Sequence, residues 1–370
     1  MRIGIDARLW GEEENRGLGR YVKELILNLE KTANQDSFFI FLTKNNFDDY
    51  QPSAPNFQKR LWDVRWYTLK EQTSFQPLLR ANLDLVHFPH WNVPYFFNQP
   101  FVVTIHDLIL LESNRQRQAT TLGHTRYALK FAGFKFILKN TLAKASKIIA
   151  ISEGTKQIIQ QFYPFTAPKI QTIYEGVTSL PANRAITMTD HNITKPYFLY
   201  VGSAYPHKNL EFLIKAFTEF NQKQNNAYQL VLVGREDFFY QRLKQTMNPI
   251  LSSIIFWGQA TDIELGALYQ DATAFVTASL QEGFALPALE AMAAGLPVLA
   301  SNIPCFREIL GPAALYFNPK NTNNFTAQLN NLLANHDLRN QLIMAAQHQI
   351  QKFSWLKCAQ ETLAVYKNVL

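Results

Sequence analysis

Short apolar runs alternate along this chain with longer stretches in which apolar residues recur every three or four positions. The first pattern suits strands buried on both faces and the second suits amphipathic helices. Their alternation predicts parallel sheets with helical crossovers. In the first half the strand candidates are Ile3–Ala7, Phe38–Thr43, Leu85–Phe88, Phe101–Ile105, Lys147–Ile151 and Ile170–Tyr174, with helices over Gly19–Ala33, Ala119–Ala145 and Glu153–Phe162. Residues Ser179–Pro196 break the rhythm. They are rich in Thr, Asn and Pro, have no periodicity and read as a linker. The second half restarts the pattern with strands Tyr197–Val201, Gln229–Val233, Ile254–Trp257, Thr273–Thr277, Pro297–Ala300 and Ala314–Phe317, separated by helices such as Leu210–Gln224, Thr261–Tyr269 and Pro287–Ala294. A last helix, Leu356–Val369, follows Phe353-Ser354-Trp355 with no strand after it. The expectation is an α/β protein of two doubly wound domains, 1–178 and 197–352, joined by 179–196, with 353–370 as a candidate to pack back onto the first domain.

Composition narrows the function. At ~100–200 residues per domain, 370 residues accommodate two domains. A hydrophobic share of 47% against 18% charged excludes a disordered chain. The net charge of +7 suits an anionic partner: a nucleotide diphosphate, an acidic membrane surface or nucleic acid. No RNA-binding aromatic motif or zinc-finger spacing is present, so nucleic acid is set aside. Cys305 and Cys358 form no CxxC pair or disulfide framework, which fits a cytoplasmic location. The start, MRIGIDARLWG, turns polar too early for a signal peptide, and no apolar run approaches the ~18–20 residues of a membrane span. Membrane contact is therefore expected only at the periphery. The basic stretch Arg126–Lys147, with Phe131, Phe134 and Phe136 among its lysines, reads either as such a contact or as a solvated crossover helix.

The densest chemistry lies in Ser279-Leu-Gln-Glu282-Gly283-Phe284-Ala285-Leu286-Pro287-Ala-Leu-Glu290-Ala-Met-Ala-Ala-Gly295. Pro287 suits a first helical turn and Gly295 the residue after the last. Residues 282–286 then form a strand-to-helix loop. The amides of Phe284, Ala285 and Leu286 make an anion site at a helix N-terminus. Glu282 and Glu290 flank it, each able to accept hydroxyl hydrogen bonds, as a nucleotide sugar would require on both sides of its diphosphate.

This stretch resembles family four of the retaining glycosyltransferases, of GT-B architecture, whose pattern is a Glu-Gly-Phe-Gly loop, Leu-Pro, Glu-Ala-Met-Ala and Gly-x-Pro-Val. The chain departs from it at Ala278, where the family often has Pro, and at Ala285, where it often has Gly. The resemblance implies that Glu282 contacts donor sugar hydroxyls and Glu290 the ribose, with Gly283, Phe284, Ala285 and Leu286 on the diphosphate. It also maps Lys208, in Tyr200-Val-Gly202-Ser-Ala-Tyr-Pro-His207-Lys208, onto the phosphate-binding lysine. The partner arginine is missing. Ser203 and His207 occupy its neighbourhood, and Arg235 is a substitute. Gln259 and Ala260 are candidates for holding the nucleobase through backbone groups.

In the first half, His106 of Thr104-Ile-His106-Asp107 is expected near the donor sugar as a catalytic group. Gly17-Leu-Gly19-Arg20-Tyr21 resembles the family's glycine-rich loop, with Gly19 approaching the donor. His87-Phe-Pro-His90 has a metal-like spacing but no third ligand, and its histidines instead become candidates for lining an acceptor. The implied reaction moves a hexose-type sugar from a GDP- or UDP-linked donor to a saccharide or lipid-linked saccharide, with retention, in bacterial surface polysaccharide synthesis. The resemblance also implies that no metal or other cofactor is required. No carboxylate stands out as a nucleophile, so the departing phosphate is expected to help deprotonate the acceptor. A nucleotide-sugar hydrolase or epimerase on the same fold, and a non-catalytic nucleotide-sugar-binding partner, are the alternatives.

Overall fold

The computed structural model describes residues 1–11, 16–33, 35–112, 124–181, 191–247 and 253–369. They divide into two compact units. The first combines Met1–Leu108, Thr120–Gly176 and Phe353–Leu370, and the second Ile109–Ala119 and Val177–Lys352.

The first unit is built on seven strands: β1 (Arg2–Asp6), β2 (Ser37–Leu42), β3 (Phe57–Leu61), β4 (Leu85–Phe88), β5 (Phe101–Ile105), β6 (Lys147–Ala150) and β7 (Ile170–Thr172). They lie in the order β3-β2-β1-β4-β5-β6-β7, and each neighbouring pair is parallel. β3, with the sequence Phe-Gln-Lys-Arg-Leu, has no counterpart among the predicted strands. It is an edge strand, so it needs no apolar run and leaves no hydrophobic signature. Helix Arg16–Thr32 turns Tyr21, Val22, Leu25, Ile26 and Leu29 into the core at helical spacing. Each of the larger aliphatic side chains contributes roughly 1.5–3 kcal/mol on burial.

Helix Trp355–Lys367 packs against Arg16–Thr32 inside this unit. Two features hold it there. Gly176 permits close approach, since a Cβ there would lie 2.2 Å from the Trp355 nitrogen. Tyr366 Oη sits 2.6 Å from His87 Nδ1, and His87 Nε2 is 2.8 Å from Thr104 Oγ1, which in turn is 3.0 Å from Tyr21 Oη. Burial pushes the His87 pKa down to about 3, so the ring in this chain of hydrogen bonds is neutral.

The second unit holds β8 (Tyr197–Val201), β9 (Gln229–Val233), β10 (Ile254–Gly258), β11 (Ala274–Thr277), β12 (Val298–Ser301) and β13 (Ala314–Phe317), again all parallel, in the order β10-β9-β8-β11-β12-β13. Phe198, Tyr200, Leu213, Phe217, Leu230 and Val276 are among the core residues that bind this sheet to its helices. The strand order reverses beside β1 in the first sheet, between β1 and β4, and beside β8 in the second, between β8 and β11. In doubly wound sheets ligands bind beyond the carboxyl ends of the strands at this switch point.

Candidate active site

In the second unit β8 runs into the loop 202–209 and β11 into the loop 278–285. The two loops are stitched together. Leu280 N donates to the His207 carbonyl at 2.7 Å, and Asn209 Nδ2 donates to the carbonyls of Ala278 and Pro319 at 3.2 and 3.0 Å. Asn209 takes φ 58°, a left-handed conformation that asparagine tolerates, and so turns the chain from the Pro206–Lys208 turn into helix Leu210–Lys223.

This stitching brings Lys208 onto Glu282. The ammonium donates to both carboxylate oxygens, at 2.7 and 2.8 Å, and Ser279 Oγ donates to Oε1 at 2.7 Å. Burial pushes the Glu282 pKa up, but the charge of Lys208, that of His207 in the acidic range where its ring is protonated, and the hydrogen bonds from Lys208 and Ser279 outweigh it. The carboxyl group is held below its ordinary range and is ionised at neutral pH. His207 is pushed down to about 4, by burial first and by Lys208 second, against the opposing pull of Glu282. It is neutral at pH 7 and does not replace the charge of the missing arginine. Ser203 is likewise neutral, and its carbonyl accepts from Tyr200 Oη at 2.8 Å. Arg235 is exposed and follows β9, the strand beside β8.

Helix Leu286–Ala293 begins one residue earlier than its pattern predicts, with Pro287 in the first turn. A helix leaves its first amides without intrahelical acceptors, so this end presents partial positive charge. Ala285, just before it, has φ 155° and ψ 38°. This is a strained conformation for a residue with a Cβ, and it stands where the resembling pattern has glycine. The loop is pinned behind by Cys305 Sγ, 2.8 Å from the Phe284 carbonyl. Glu290 is only 7% exposed and accepts from Tyr269 Oη at 3.1 Å, so a ribose hydroxyl would have to share that carboxylate. Gln259 is exposed and Ala260 buried after β10, where Thr261 caps helix Asp262–Asp271 in a capping box with Glu264. Because the strands are parallel, Ser203, Lys208, Arg235, Gln259, Ala260 and residues 282–286 all fall at one edge of the sheet.

The first-unit candidates are distributed differently. His106 follows β5, with Nδ1 2.9 Å from Glu175 Oε1 and Nε2 3.0 Å from the Pro89 carbonyl. Both ring nitrogens face acceptors, so a sugar hydroxyl would have to displace one of them. Gly17 and Gly19 lie in the first turn of helix Arg16–Thr32 rather than in a loop, and Gly19 is buried. His87 is 0% exposed, which corrects its expected place on an acceptor-lining surface. His90 makes a 3.0 Å hydrogen bond to Tyr67 Oη instead of converging with His87. Among the described residues no cluster of three or more His, Cys, Asp or Glu side chains forms a metal-ligand set.

Three residues of the site escaped the sequence reading. Ser279 has a local signal, standing three positions before Glu282. Asn209 has one too, as an asparagine at a helix start. Glu175, the partner of His106, has none, because a separation of 69 residues closes only in the fold.

Two family models match the chain: "Glycosyltransferase Family 4" over residues 15–179 and "Glycosyl transferases group 1" over residues 184–349. O-antigen chain mannosyltransferase RfbU of Salmonella typhimurium is 26% identical over 332 residues, covering 85% of this chain and 87% of its own length. O-antigen chain mannosyltransferase B of Escherichia coli is 26% identical over 377 residues, covering 95% and 96%. Among solved structures, sucrose-phosphate synthase of Thermosynechococcus elongatus superimposes with a TM-score of 0.73 at 20% identity, covering 100% of this chain and 99% of that one, which shows a shared GT-B fold.

Proposed function

The chain belongs to glycosyltransferase family 4, and on that premise we propose that it transfers a hexose-type sugar, with retention, from a GDP- or UDP-linked donor to a saccharide or lipid-linked saccharide. The observation that carries the reading is the Lys208–Glu282 pair beside the start of helix Leu286–Ala293. Lys208 and the helix N-terminus supply positive charge for the diphosphate. Glu282 supplies an ionised acceptor for sugar hydroxyls, and the Glu290 carboxyl group offers hydrogen-bond acceptor oxygens to the ribose. Cleavage of the bond between the anomeric carbon and the diphosphate leaves charge on the phosphate, which a fixed ammonium stabilises in the transition state. The acceptor oxygen bonds to the anomeric carbon on the face the diphosphate leaves. The acceptor proton passes to the departing phosphate oxygen. This route needs no carboxylate nucleophile and no metal, and Glu282, with both oxygens hydrogen-bonded, suits an acceptor role better than a nucleophilic one.

The test is NMR of the product from a matched donor and acceptor. Retention of the donor's anomeric configuration is expected, and an inverted product refutes the mechanism.

The relatives named as O-antigen mannosyltransferases support a place in surface polysaccharide synthesis. No described helix is long and apolar enough to cross a membrane. Helix His124–Lys144 leaves Leu129 78% and Phe136 59% exposed beside the exposed Lys130, Lys135 and Lys139, a composition suited to an anionic bilayer surface. Co-sedimentation with phosphatidylglycerol vesicles is expected to fall in a Leu129→Glu/Phe136→Glu variant. Equal sedimentation of variant and parent would remove this contact from the account.

A further inference from the structure

We propose that Tyr67, His90 and Trp91 form a saccharide-binding platform in the first unit, serving the acceptor sugar. The acceptor role rests on the transferase reading above, whereas the platform itself rests on four observations within this unit.

The first is position. His90 and Trp91 follow β4, one of the two strands flanking the switch point of the first sheet, where ligands of such sheets bind. The Pro89 carbonyl on the same loop touches His106 Nε2.

The second is surface chemistry. Tyr67 is 55% exposed, and its ring lies 5.4 Å from Trp91 and 5.9 Å from His90. Trp91 is braced edge-on against Phe134 at 4.7 Å. Rigid aromatic rings with a polar edge offer the apolar C–H face of a pyranose a stacking surface at low entropic cost.

The third is strain. Tyr67 has φ 59°, a left-handed conformation that is an outlier for so bulky a residue. Its N–H donates to Glu71 Oε2 at 2.8 Å, and the same oxygen accepts from Asn92 Nδ2 at 2.5 Å. Glu71 Oε1 accepts from Arg8 Nη2 at 2.7 Å, and the Arg8 guanidinium lies between Trp62 and Trp66, 3.5 and 4.1 Å from their rings. Buried ion clusters of this kind are rarely more stable than apolar packing. What this one accomplishes is to fix the two loops that carry the platform.

The fourth is unmet polarity. His90 Nδ1 and Trp66 Nε1 are buried in the same aromatic cluster, their rings 5.9 Å apart, and have no hydrogen-bond partner among the described residues. A sugar hydroxyl, both donor and acceptor, can satisfy either.

Saturation-transfer NMR of the full chain with α-linked mannobiose tests this. The probe is chosen because the relatives are named as mannosyltransferases. The wild type is expected to transfer saturation to the sugar ring protons. Tyr67→Ala and Trp91→Ala should each lower that signal at least fivefold, and Trp91→Phe should retain at least half. Wild-type signals in both alanine variants, or none in the wild type, overturn the platform. Nucleoside diphosphate binding in the same samples separates the two readings. Nucleotide without mannobiose binding removes the platform and leaves the transferase. Mannobiose binding lost in Trp91→Ala, with no nucleotide binding even in the wild type, leaves the platform and removes the transferase.

Discussion

Glu282→Gln is expected to lower the turnover number about 10²–10³-fold, the loss typical when one preorganised electrostatic group of an active site is removed. The substitution keeps size and shape but discards the charge. In the parent, Glu282 takes both hydrogen bonds of the Lys208 ammonium and one from Ser279. An amide has a single acceptor oxygen and cannot serve all three. Lys208 then loses the anchor that aims it, and the donor sugar loses an ionised acceptor. A charge-assisted bond contributes about 1.5–3 kcal/mol, so some loss of stability accompanies the loss of activity. The two are separable by measuring turnover well below the unfolding transition of the variant. Turnover within threefold of the parent would detach Glu282 from the chemistry.

Arg8→Met is expected to destabilise the first unit by about 3–5 kcal/mol, because it leaves a buried carboxylate pair without its cation. Arg8 is fully buried and donates to Asp6 at 2.8 and 2.9 Å, to Glu71 at 2.7 Å and to the Val64 carbonyl at 3.0 Å. The loss should also depend on pH. Burial already pushes the Glu71 pKa up in the parent, against the opposing charge of Arg8. Without Arg8 the charge of Asp6 adds to that upward push, and only hydrogen bonds such as the one from Asn92 oppose it. A carboxyl group whose folded pKa lies above its unfolded value contributes stability that is present at low pH and lost as pH rises. The deficit of the variant should therefore shrink between pH 7 and pH 5 in urea denaturation. A deficit below 1 kcal/mol, or one that grows as pH falls, would contradict the reading.

Much of the fold was legible because parallel strands buried on both faces leave continuous apolar runs. Leu85–Phe88, Phe101–Ile105, Tyr197–Val201, Gln229–Val233 and Ala314–Phe317 match their predicted bounds. The polar edge strand Phe57–Leu61 carries no such run and was missed. In the site, the helix start at Leu286 and the loop before it were readable from Pro287 and the glutamate spacing. The joining of Lys208 to Glu282 was not, since it depends on Asn209 and Leu280 tying together loops from two strands. The fates of the histidines were equally hidden. His87, His90 and His106 look alike in sequence, and only packing assigns one to Tyr366, one to Tyr67 and one to Glu175.

The central claim is that the edge carrying Lys208 and Glu282 holds the diphosphate of a nucleotide sugar. Calorimetric titration of GDP and UDP into the full chain and into Lys208→Ala tests it most directly. The parent is expected to bind one of the two nucleotides at a single site, with affinity at least tenfold weaker in the variant, a difference of about 1.4 kcal/mol or more. Absence of binding for both nucleotides, or equal affinity in parent and variant, would contradict it.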